Sequence, residues 1–274
     1  MALLCNDKPL IVKQITLALQ DFCAAAKHHR IWLELSKVEV KQRYRRSVIG
    51  PWWISLSLLI FIVAMGEVYS RIFHEGLASY IPFFTAGFLM WTFISTTINE
   101  SIEVFKNNAS FIKQVRLPFN LYTFKHLSRQ IIFLGHNLVV YVLVMLFFKI
   151  NPGWNILWFI PGFLLLLVNV YWISLLITLL STRYRDTGPL INSCIQIAFF
   201  VTPISWMPKL IGEHSWIMKV NPFVYFLGAT RNPLLGTMPT LHTWMYNIVA
   251  ACGGLVFTLL IFAYSRRKIP FWVD

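Results

Sequence analysis

One apolar run of the chain carries polar and aromatic side chains at a spacing that could do chemistry. Two amides and two rings recur at i, i+4, i+7 and i+8, the spacing of one helix face: Asn192, Gln196, Phe199 and Phe200. Amides that face hydrocarbon are costly in free energy, so we expect this face to lie against protein or a cavity. In a cavity, the amides would hydrogen-bond hydroxyl groups and the rings would stack on flat C–H faces, such as those of a sugar. Packing against a neighbouring helix explains the same pattern, and both interpretations stay open.

The sequence lacks the motifs of nucleotide, metal and nucleophile chemistry. It contains no GxxxxGKS or GxxxxGKT stretch for ATP, no HExxH, no GxSxG and no paired-cysteine zinc pattern. Its four cysteines are widely spaced and its seven histidines are scattered. We therefore predict no catalytic residues, no metal site and no cofactor bound by this chain itself.

Carboxylates within apolar segments would indicate a proton relay. The one candidate is Glu67, and it precedes Arg71 by four residues, which favours an ion pair on one helix face. The apolar runs contain no ladder of carboxylates of the kind that proton-driven transport uses. If the protein moves a solute, we expect a partner to supply the energy.

The composition is that of a membrane protein. The residues are 57% hydrophobic and 13% charged, with a mean hydropathy of +0.62, whereas a soluble domain needs more charge to cover its core. Six apolar runs are long enough for helices that cross a hydrocarbon core of ~30 Å. They cover about 51–73, 81–98, 131–148, 156–180, 190–206 and 244–264. The predicted fold class is therefore all-α integral membrane, with about six transmembrane helices.

The distribution of Lys and Arg predicts the orientation. With six crossings and the N-terminus in the cytoplasm, 19 of the 24 Lys and Arg residues lie inside. Both termini are then predicted to be cytoplasmic. Contacts of the inner loops with anionic lipid account for the net charge of +13, so we expect membrane lipids as partners and no nucleic acid.

The segments outside the apolar runs are short. Residues 1–50 are predicted to form a cytoplasmic or interfacial N-terminal segment, and residues 51–274 a transmembrane domain of six helices. The N-terminal segment begins with apolar residues on one helical face: Ile11, Ile15, Ala18, Leu19 and Phe22. Such an amphipathic helix lies in the membrane interface, packs on its own protein, or does both. Within the second unit we expect a cytoplasmic loop over about 99–130 and an external loop over about 207–243.

Five stretches of the sequence resemble one known family. They are YRRSVIGPWW (44–53), NNASFIKQVRLP (107–118), RYRD (183–186), FFVTPISW (199–206) and NPFVYFLGATRNPLLG (221–236). Their order and their places in the topology are similar to those of the ABC-2 type permeases that export O-antigen, capsule or teichoic-acid chains. The resemblance covers nearly the whole chain, which looks most like the bacterial O-antigen permeases of the Wzm type.

The resemblance implies partners and a place in the cell. Such permeases form a homodimer with the pore between the two copies, and two copies of a separate cytoplasmic ABC ATPase bind ATP and Mg. The cargo is a lipid-linked polysaccharide, and the location is the bacterial inner membrane. The chain is thus expected to be a multi-pass permease subunit for O-antigen export and not an enzyme by itself.

The resemblance also assigns the first cytoplasmic loop to ATPase coupling. The residues concerned are Asn108, Ser110, Phe111, Ile112, Lys113, Val115 and Arg116. A short helix with an apolar side, capped by Asn108 or Ser110, would fit a groove of the ATPase, with packing on its own chain as the alternative. The stretch with Arg183, Arg185 and Asp186 is either a salt-bridged turn or a second contact with the ATPase.

The first and fifth spans are expected to line the pore, as the resemblance implies. The residues assigned to the substrate path are Trp52, Trp53, Ser55, Tyr69, Asn192, Gln196, Phe199, Phe200 and Thr202. Pro203 removes a backbone hydrogen bond and is expected to kink the fifth helix at an outer gate. The external loop, with Pro222, Phe223 and Tyr225, is expected to dip back toward the bilayer as part of that gate.

Other functions stay open on the sequence alone. Export of capsule or teichoic acid would use the same spans. A membrane-embedded transferase would need clustered carboxylates or histidines at one membrane face, and a structural scaffold would need neither. ATP hydrolysis that depends on this chain would distinguish a transporter from a transferase and from a scaffold.

Overall fold

The structure is built from helices. The computed structural model describes residues 10–208 and 216–273, and these residues contain no β-strand. The helices are α1 (Leu10–Lys27), α2 (His29–Arg43), α3 (Trp52–Ile72), α4 (Leu77–Ser101), α5 (Ala109–Gln114), α6 (Phe119–Phe147), α7 (Phe159–Arg183), α8 (Thr187–Val201), α9 (Trp216–Val220), α10 (Pro222–Leu234), α11 (Leu241–Ser265) and α12 (Ile269–Trp272). Short 3₁₀ turns at Lys106–Asn108 and Gly153–Trp158 precede α5 and α7.

Five helical stretches are long and apolar enough to cross a membrane. They are α3, α4, α6, α11 and Gly153–Arg183, which joins a 3₁₀ turn to α7. The all-α membrane class is thereby confirmed. α8 occupies the fifth predicted run but has only 15 residues. At 1.5 Å per residue it is about 22 Å long, less than a hydrocarbon core of ~30 Å. Six crossings and two cytoplasmic termini stay predictions.

α4 lies at the centre of the packing. It contacts α3, α6, α7, α8 and α10, and its fully buried side chains include Tyr80, Phe84, Leu89, Met90 and Ile94. By contrast, only 28% of the apolar stretch of α3 and of α11 is buried. Those outer faces are suited to contact with lipid or with another chain, because exposed apolar side chains are unfavourable in water.

Two glycines allow neighbouring helices to approach closely. A Cβ atom on Gly162 would lie 2.1 Å from the carbonyl oxygen of Ala229, so α7 and α10 meet there backbone to backbone. A Cβ atom on Gly254 would lie 2.1 Å from the indole of Trp172, which rests on α11. Small residues at such contacts are typical of helices that associate inside a membrane. The first contact holds α10 against α7, and the second holds α11 against α7.

The loop between α4 and α6 is shorter than the apolar runs indicated. α4 continues to Ser101 and α6 begins at Phe119, so the connection between the two helices covers 102–118, while the cytoplasmic loop over about 99–130 stays a prediction. The extra turns contain polar residues among apolar ones, and another helix stabilises the start of α6. Asp21 of α1 accepts hydrogen bonds from the backbone N–H groups of Phe119 (3.1 Å) and Asn120 (3.0 Å). Its carboxylate therefore caps α6 from outside that helix.

The N-terminal helices pack on the transmembrane helices. α1 contacts α6 and α11, and α2 contacts α6. The predicted apolar face of α1 is divided, because Ala18 is buried while Leu19 and Phe22 are exposed. α1 thus packs on its own protein and still presents apolar side chains outward, as a helix in the membrane interface does.

Candidate functional site

The loop between α4 and α6 carries a short exposed helix, α5. Phe111 is 55% exposed and Val115, just after the helix, is 45% exposed. Ile112 turns inward and packs on the buried core. The polar neighbours are exposed as well: Ser110, Lys113 and Arg116. The outward apolar surface therefore consists of Phe111 and Val115, and Ile112 belongs to the chain's own packing.

Asn108 does not cap α5, although it occupies the position before the helix. Its side chain is buried, and its Nδ2 atom donates to the carbonyl of Val104 at 2.6 Å. Its Oδ1 atom accepts from Nζ of Lys125 at 2.6 Å. The predicted cap is wrong because the buried ammonium needs an acceptor, whereas the exposed end of α5 is open to water.

Lys125 belongs to a charge network that the sequence analysis missed. Its ammonium also donates to Glu39 of α2, and Arg129 donates to Glu39 at 2.8 Å and to Glu100 at 2.8 Å. Arg43 of α2 donates to Glu100 at 2.9 Å. The network joins α2, α4, α6 and the loop that bears α5. The sequence signal was the i, i+4 spacing of Lys125 and Arg129, which has meaning only once that stretch is known to be helical.

A groove of about 480 Å³ lies beside α5. α1 lines one side, the segment 112–119 a second and Arg266 with Pro270 a third. Asp21 lies in its wall and pairs with Arg266 at 3.3 Å. The groove combines apolar and charged side chains from three segments on the same side as α5, so it offers a ready surface to a protein partner.

The turn between α7 and α8 is exposed. The guanidinium of Arg183 lies 5.0 Å from the ring of Tyr184 and 5.2 Å from that of Trp272. In the described part of the chain, Arg183, Arg185 and Asp186 form no ion pair. The alternative of a salt-bridged turn is therefore wrong, and a second contact with a partner stays a prediction.

α8 leaves its polar side uncovered. Asn192, Gln196 and Phe200 are exposed, and no hydrogen bond to either amide is present within the described residues. Phe199 instead packs on α4, with its ring 6.0 Å from that of Trp91. The predicted face thus divides: Phe199 packs within the chain, while the two amides and Phe200 point away from it.

The path residues assigned to α3 have different surroundings. Trp52 and Trp53 are half-exposed at the start of the helix. Ser55 is buried, and its hydroxyl donates to the carbonyl of His136 at 2.8 Å. Tyr69 is half-buried and stacks on a neighbouring ring. The tryptophans remain candidates for the path, whereas Ser55 and Tyr69 are packed within the chain.

α8 ends at Val201, two residues before Pro203. Thr202 has an extended ψ of 138°, as expected for a residue that precedes proline. The prediction that Pro203 kinks the helix is wrong, because the helix has ended when the proline is reached. Thr202 is buried and accepts a hydrogen bond from Asn221 at 2.9 Å, so it does not face an open path either.

Three side chains hold the segment that follows α8. Arg231 of α10 donates to the carbonyl of Pro203 at 2.5 Å. The hydroxyl of Tyr80 in α4 donates to a second carbonyl of this segment, and Asn221 makes the third contact. We call residues 202–205 together with these three donors the outer clamp. Two of its donors satisfy backbone carbonyls of the segment after α8, and the third bonds the hydroxyl of Thr202.

α10 begins at a well-capped end and returns among the spans. The Oδ1 atom of Asn221 accepts from the backbone N–H of Phe223 at 2.9 Å, and Pro222 occupies the first turn. Phe223 packs on α4, and Tyr225 stacks on Tyr246 with ring centroids 4.2 Å apart. α10 contacts α4, α7 and α11. This placement agrees with an external loop that dips back, and the gating role stays a prediction.

Fold and site define a class of protein: a multi-pass membrane protein with a polar helix face and an exposed loop helix. The chain belongs to the ABC-2 type transporter family, whose profile matches residues 31–235, about three-quarters of its length. Two curated relatives from Klebsiella pneumoniae, both named O-antigen export system permease protein RfbA, are similar to it. They are 20% and 23% identical over 241 and 240 residues, which cover 86% of this chain and 92% of each relative.

Membership in this family confirms the resemblance seen in the five stretches. The ABC-2 membrane subunit is a transport component that pairs with an ABC ATPase. With its five long apolar helices, the chain is a multi-pass protein of the inner membrane.

Proposed function

We propose that this chain is the permease subunit of an exporter of lipid-linked O-antigen polysaccharide. The observation that carries the proposal is the uncovered side of α8, where the Asn192 and Gln196 amides and the Phe200 ring are exposed on an apolar helix. Amides hydrogen-bond sugar hydroxyls, and an aromatic ring stacks on the C–H face of a sugar. Each contact is weak, so a long polysaccharide can slide past. The choice of O-antigen over capsule or teichoic acid is supported by the names of the two relatives.

A second copy of the chain completes the path. Exposed amides on an apolar helix would meet hydrocarbon unless protein or water covers them, and each unsatisfied polar group costs several kcal/mol in lipid. A two-fold arrangement that brings the polar sides of both α8 helices together encloses them in a shared pore. Trp52 and Trp53 at the start of α3 then lie near its entrance, and the outer clamp near its exit.

A separate ABC ATPase supplies the energy, with two copies for the dimer. Each ATPase binds ATP and Mg, for which this chain has no motif. α5 offers Phe111 and Val115 as anchors, and burial of such side chains stabilises a contact by ~1.5–3 kcal/mol each. The groove beside α5 receives a further part of the same partner. From Asn108 the charge network connects this contact to α2, α4 and α6.

The proposal is tested by a single substitution on the polar side of α8. Gln196→Leu is expected to lower surface polysaccharide several-fold, the effect of losing a hydrogen bond of ~1 kcal/mol on the path. Ile197→Leu, a change at the next exposed position of the same helix, is the matched control and is expected to export normally. The measurement is surface polysaccharide relative to the amount of the chain in the membrane. Full export by Gln196→Leu would overturn the assigned path, and loss of the protein itself would indicate a packing role.

A further inference from the structure

An apolar cavity of about 210 Å³ lies where α1 crosses α7 and α11. None of its wall residues comes from α8 or from the segment 112–119. Side chains of α1, α7 and α11, with Asn120 of α6, form the wall, among them Leu19, Phe22, Leu175, Leu255, Leu259 and Phe262. The transport path and the groove beside α5 therefore leave this cavity without a role.

The few polar groups in the wall bond to the protein itself. The hydroxyl of Tyr171 donates to Oδ1 of Asn120 at 2.5 Å, and that of Thr258 donates to the carbonyl of Trp172 at 3.3 Å. Water that entered would therefore find few partners. Apolar cavities of ~150 Å³ stay dry and take up hydrocarbon, and this cavity is larger. Its natural contents are hydrocarbon.

The cavity opens toward the lipid at the depth of one leaflet. Leu19 of α1 and Val256 of α11 are exposed at its rim. Along α11 the wall extends from Leu255 to Phe262, about 16 to 6 Å from Arg266 at 1.5 Å per residue. Half of a ~30 Å hydrocarbon core is ~15 Å, so this range matches the acyl chains of the leaflet nearer the C-terminus.

A run of basic residues lies where the headgroup of such a lipid would be. Arg266, Arg267 and Lys268 follow α11 directly. Among the described residues, the carboxylate that pairs with this run is Asp21, and it pairs with Arg266. Arg267 and Lys268 thus offer positive charge to a phosphate at the membrane surface.

We infer that this cavity binds one acyl chain of an anionic glycerophospholipid, whose phosphate lies at Arg267 and Lys268. The bound acyl chain fills the space between α1 and the membrane-spanning helices, so it is part of the packing that holds α1 in place. α1 carries Asp21, which caps α6 and lines the groove beside α5. The lipid therefore supports the surface on which a partner would dock.

The inference is tested by photolabelling in lipid nanodiscs. The full chain is reconstituted with phosphatidylglycerol that carries a photoreactive group on one acyl chain, and labelled peptides are mapped by mass spectrometry. Wild type is expected to be labelled within 19–22 and 255–262. Ala18→Phe fills the cavity, and Leu19→Trp narrows its mouth. Each substitution is expected to lower this labelling about tenfold, because the acyl chain loses the contacts of about two methylene groups. Val249→Phe, at an exposed position of α11 outside the cavity, is the matched control.

A second comparison separates the contribution of the lipid headgroup from that of the acyl chain. Arg267→Gln with Lys268→Gln is expected to abolish the preference for phosphatidylglycerol over phosphatidylcholine of identical chains, with the labelled positions unchanged. Unchanged labelling in Leu19→Trp would overturn the inference, because that substitution lies at the exposed rim and leaves the core intact. Displacement of the probe by polyprenyl phosphate but not by phosphatidylglycerol would also overturn it, since the cavity would then hold a different lipid.

Discussion

Arg231 is a buried cation that no carboxylate of the described residues contacts. It is 7% exposed, its guanidinium donates to the carbonyl of Pro203, and it lies 4.6 Å from the ring centroid of Phe83. A carbonyl oxygen and an aromatic face are the two uncharged groups that best stabilise a guanidinium. Arg231 therefore holds the end of α8 against α4 and α10. At the scale of single residues, this is the contact on which the outer clamp most depends.

Arg231→Gln is expected to lower the free energy of unfolding by about 1–3 kcal/mol, because the Pro203 carbonyl loses its charged donor inside the protein. The measurement is thermal unfolding in detergent. Arg71→Gln is the matched control, since Arg71 is exposed and pairs with Glu67 at 2.7 Å, the ion pair predicted from their spacing. An exposed pair contributes at most ~1 kcal/mol. Equal losses in the two variants would contradict the role of Arg231 in the clamp.

Among the elements, α5 and α8 differ from the long helices in how they are covered. The long helices bury one side against α4 or its neighbours, whereas α5 and α8 turn most of their surface outward. Neither is long enough to be stable alone in water. Each is held by a few inward residues, among them Ala109 and Ile112 for α5, and Ile195 and Phe199 for α8. Their outward sides are therefore available to other chains.

Phe111→Asp together with Val115→Asp is expected to weaken association with the ATPase while the spans stay folded, because both side chains point away from the chain. Loss of two buried apolar anchors of ~1.5–3 kcal/mol each should lower the affinity at least a hundredfold. The measurement is co-purification of the ATPase with the permease.

Two control substitutions in α5 distinguish loss of ATPase docking from loss of folding. Gln114→Asp adds negative charge to the same exposed helix without removing an apolar anchor and is expected to assemble normally. Ile112→Asp places a charge against the core and is expected to reduce the amount of permease itself. Normal assembly of the double variant would show that the ATPase docks elsewhere.

For the whole molecule, the open question is how copies and membrane are arranged around these helices. The exposed sides of α3, α8 and α11 are too apolar for water and must contact lipid or protein. The polar side of α8 is the part that lipid covers poorly. In the dimer that we propose, the second copy therefore lies at α8 and lipid surrounds α11.

Ser193 lies on the exposed surface of α8, ~60° around the helix from Gln196, so it reports on the polar side of that helix. In a cysteine-free chain, Ser193→Cys is expected to be linked to a second copy by a bifunctional thiol reagent in native membranes, because the two α8 helices face one shared pore in the proposed dimer. A variant that keeps only Cys252, which is exposed on α11, is the matched control and is expected to be linked far less. Equal linking of both variants would argue against a pore between the α8 helices.

The predicted topology is tested with single cysteines in a cysteine-free chain. Both termini inside and six crossings place Thr237 outside and Ser110 inside, and both residues are exposed. Thr237→Cys is expected to react with a membrane-impermeant thiol reagent added to spheroplasts, and Ser110→Cys only after the membrane is opened. The reverse result would invert the orientation.

The apolar runs located the long spans well, because about 20 apolar residues in succession have no other stable place than a membrane or a core. Helix ends were missed where polar residues continue the helix. Ser101 ends α4 and Phe119 begins α6, each beyond the apolar run. These added turns depend on partners far away in sequence, such as Asp21 for α6. Pro203 was placed inside a helix because the apolar run continues beyond it, whereas α8 stops at Val201.

The sequence by itself determined the membrane class, the family and the choice of α5 and α8 as the segments of interest, because hydrophobic length and residue spacing are local properties. Only the tertiary structure decided which side chains on those segments remain free. Ile112, Ser55 and Phe199 belong to helical patterns in which other residues are exposed. These three are covered because another part of the chain packs against them. The charge network around Lys125 likewise joins residues up to 90 positions apart, as in the bond from Arg129 to Glu39. Contacts between distant residues depend on how the helices pack, and no local pattern encodes that.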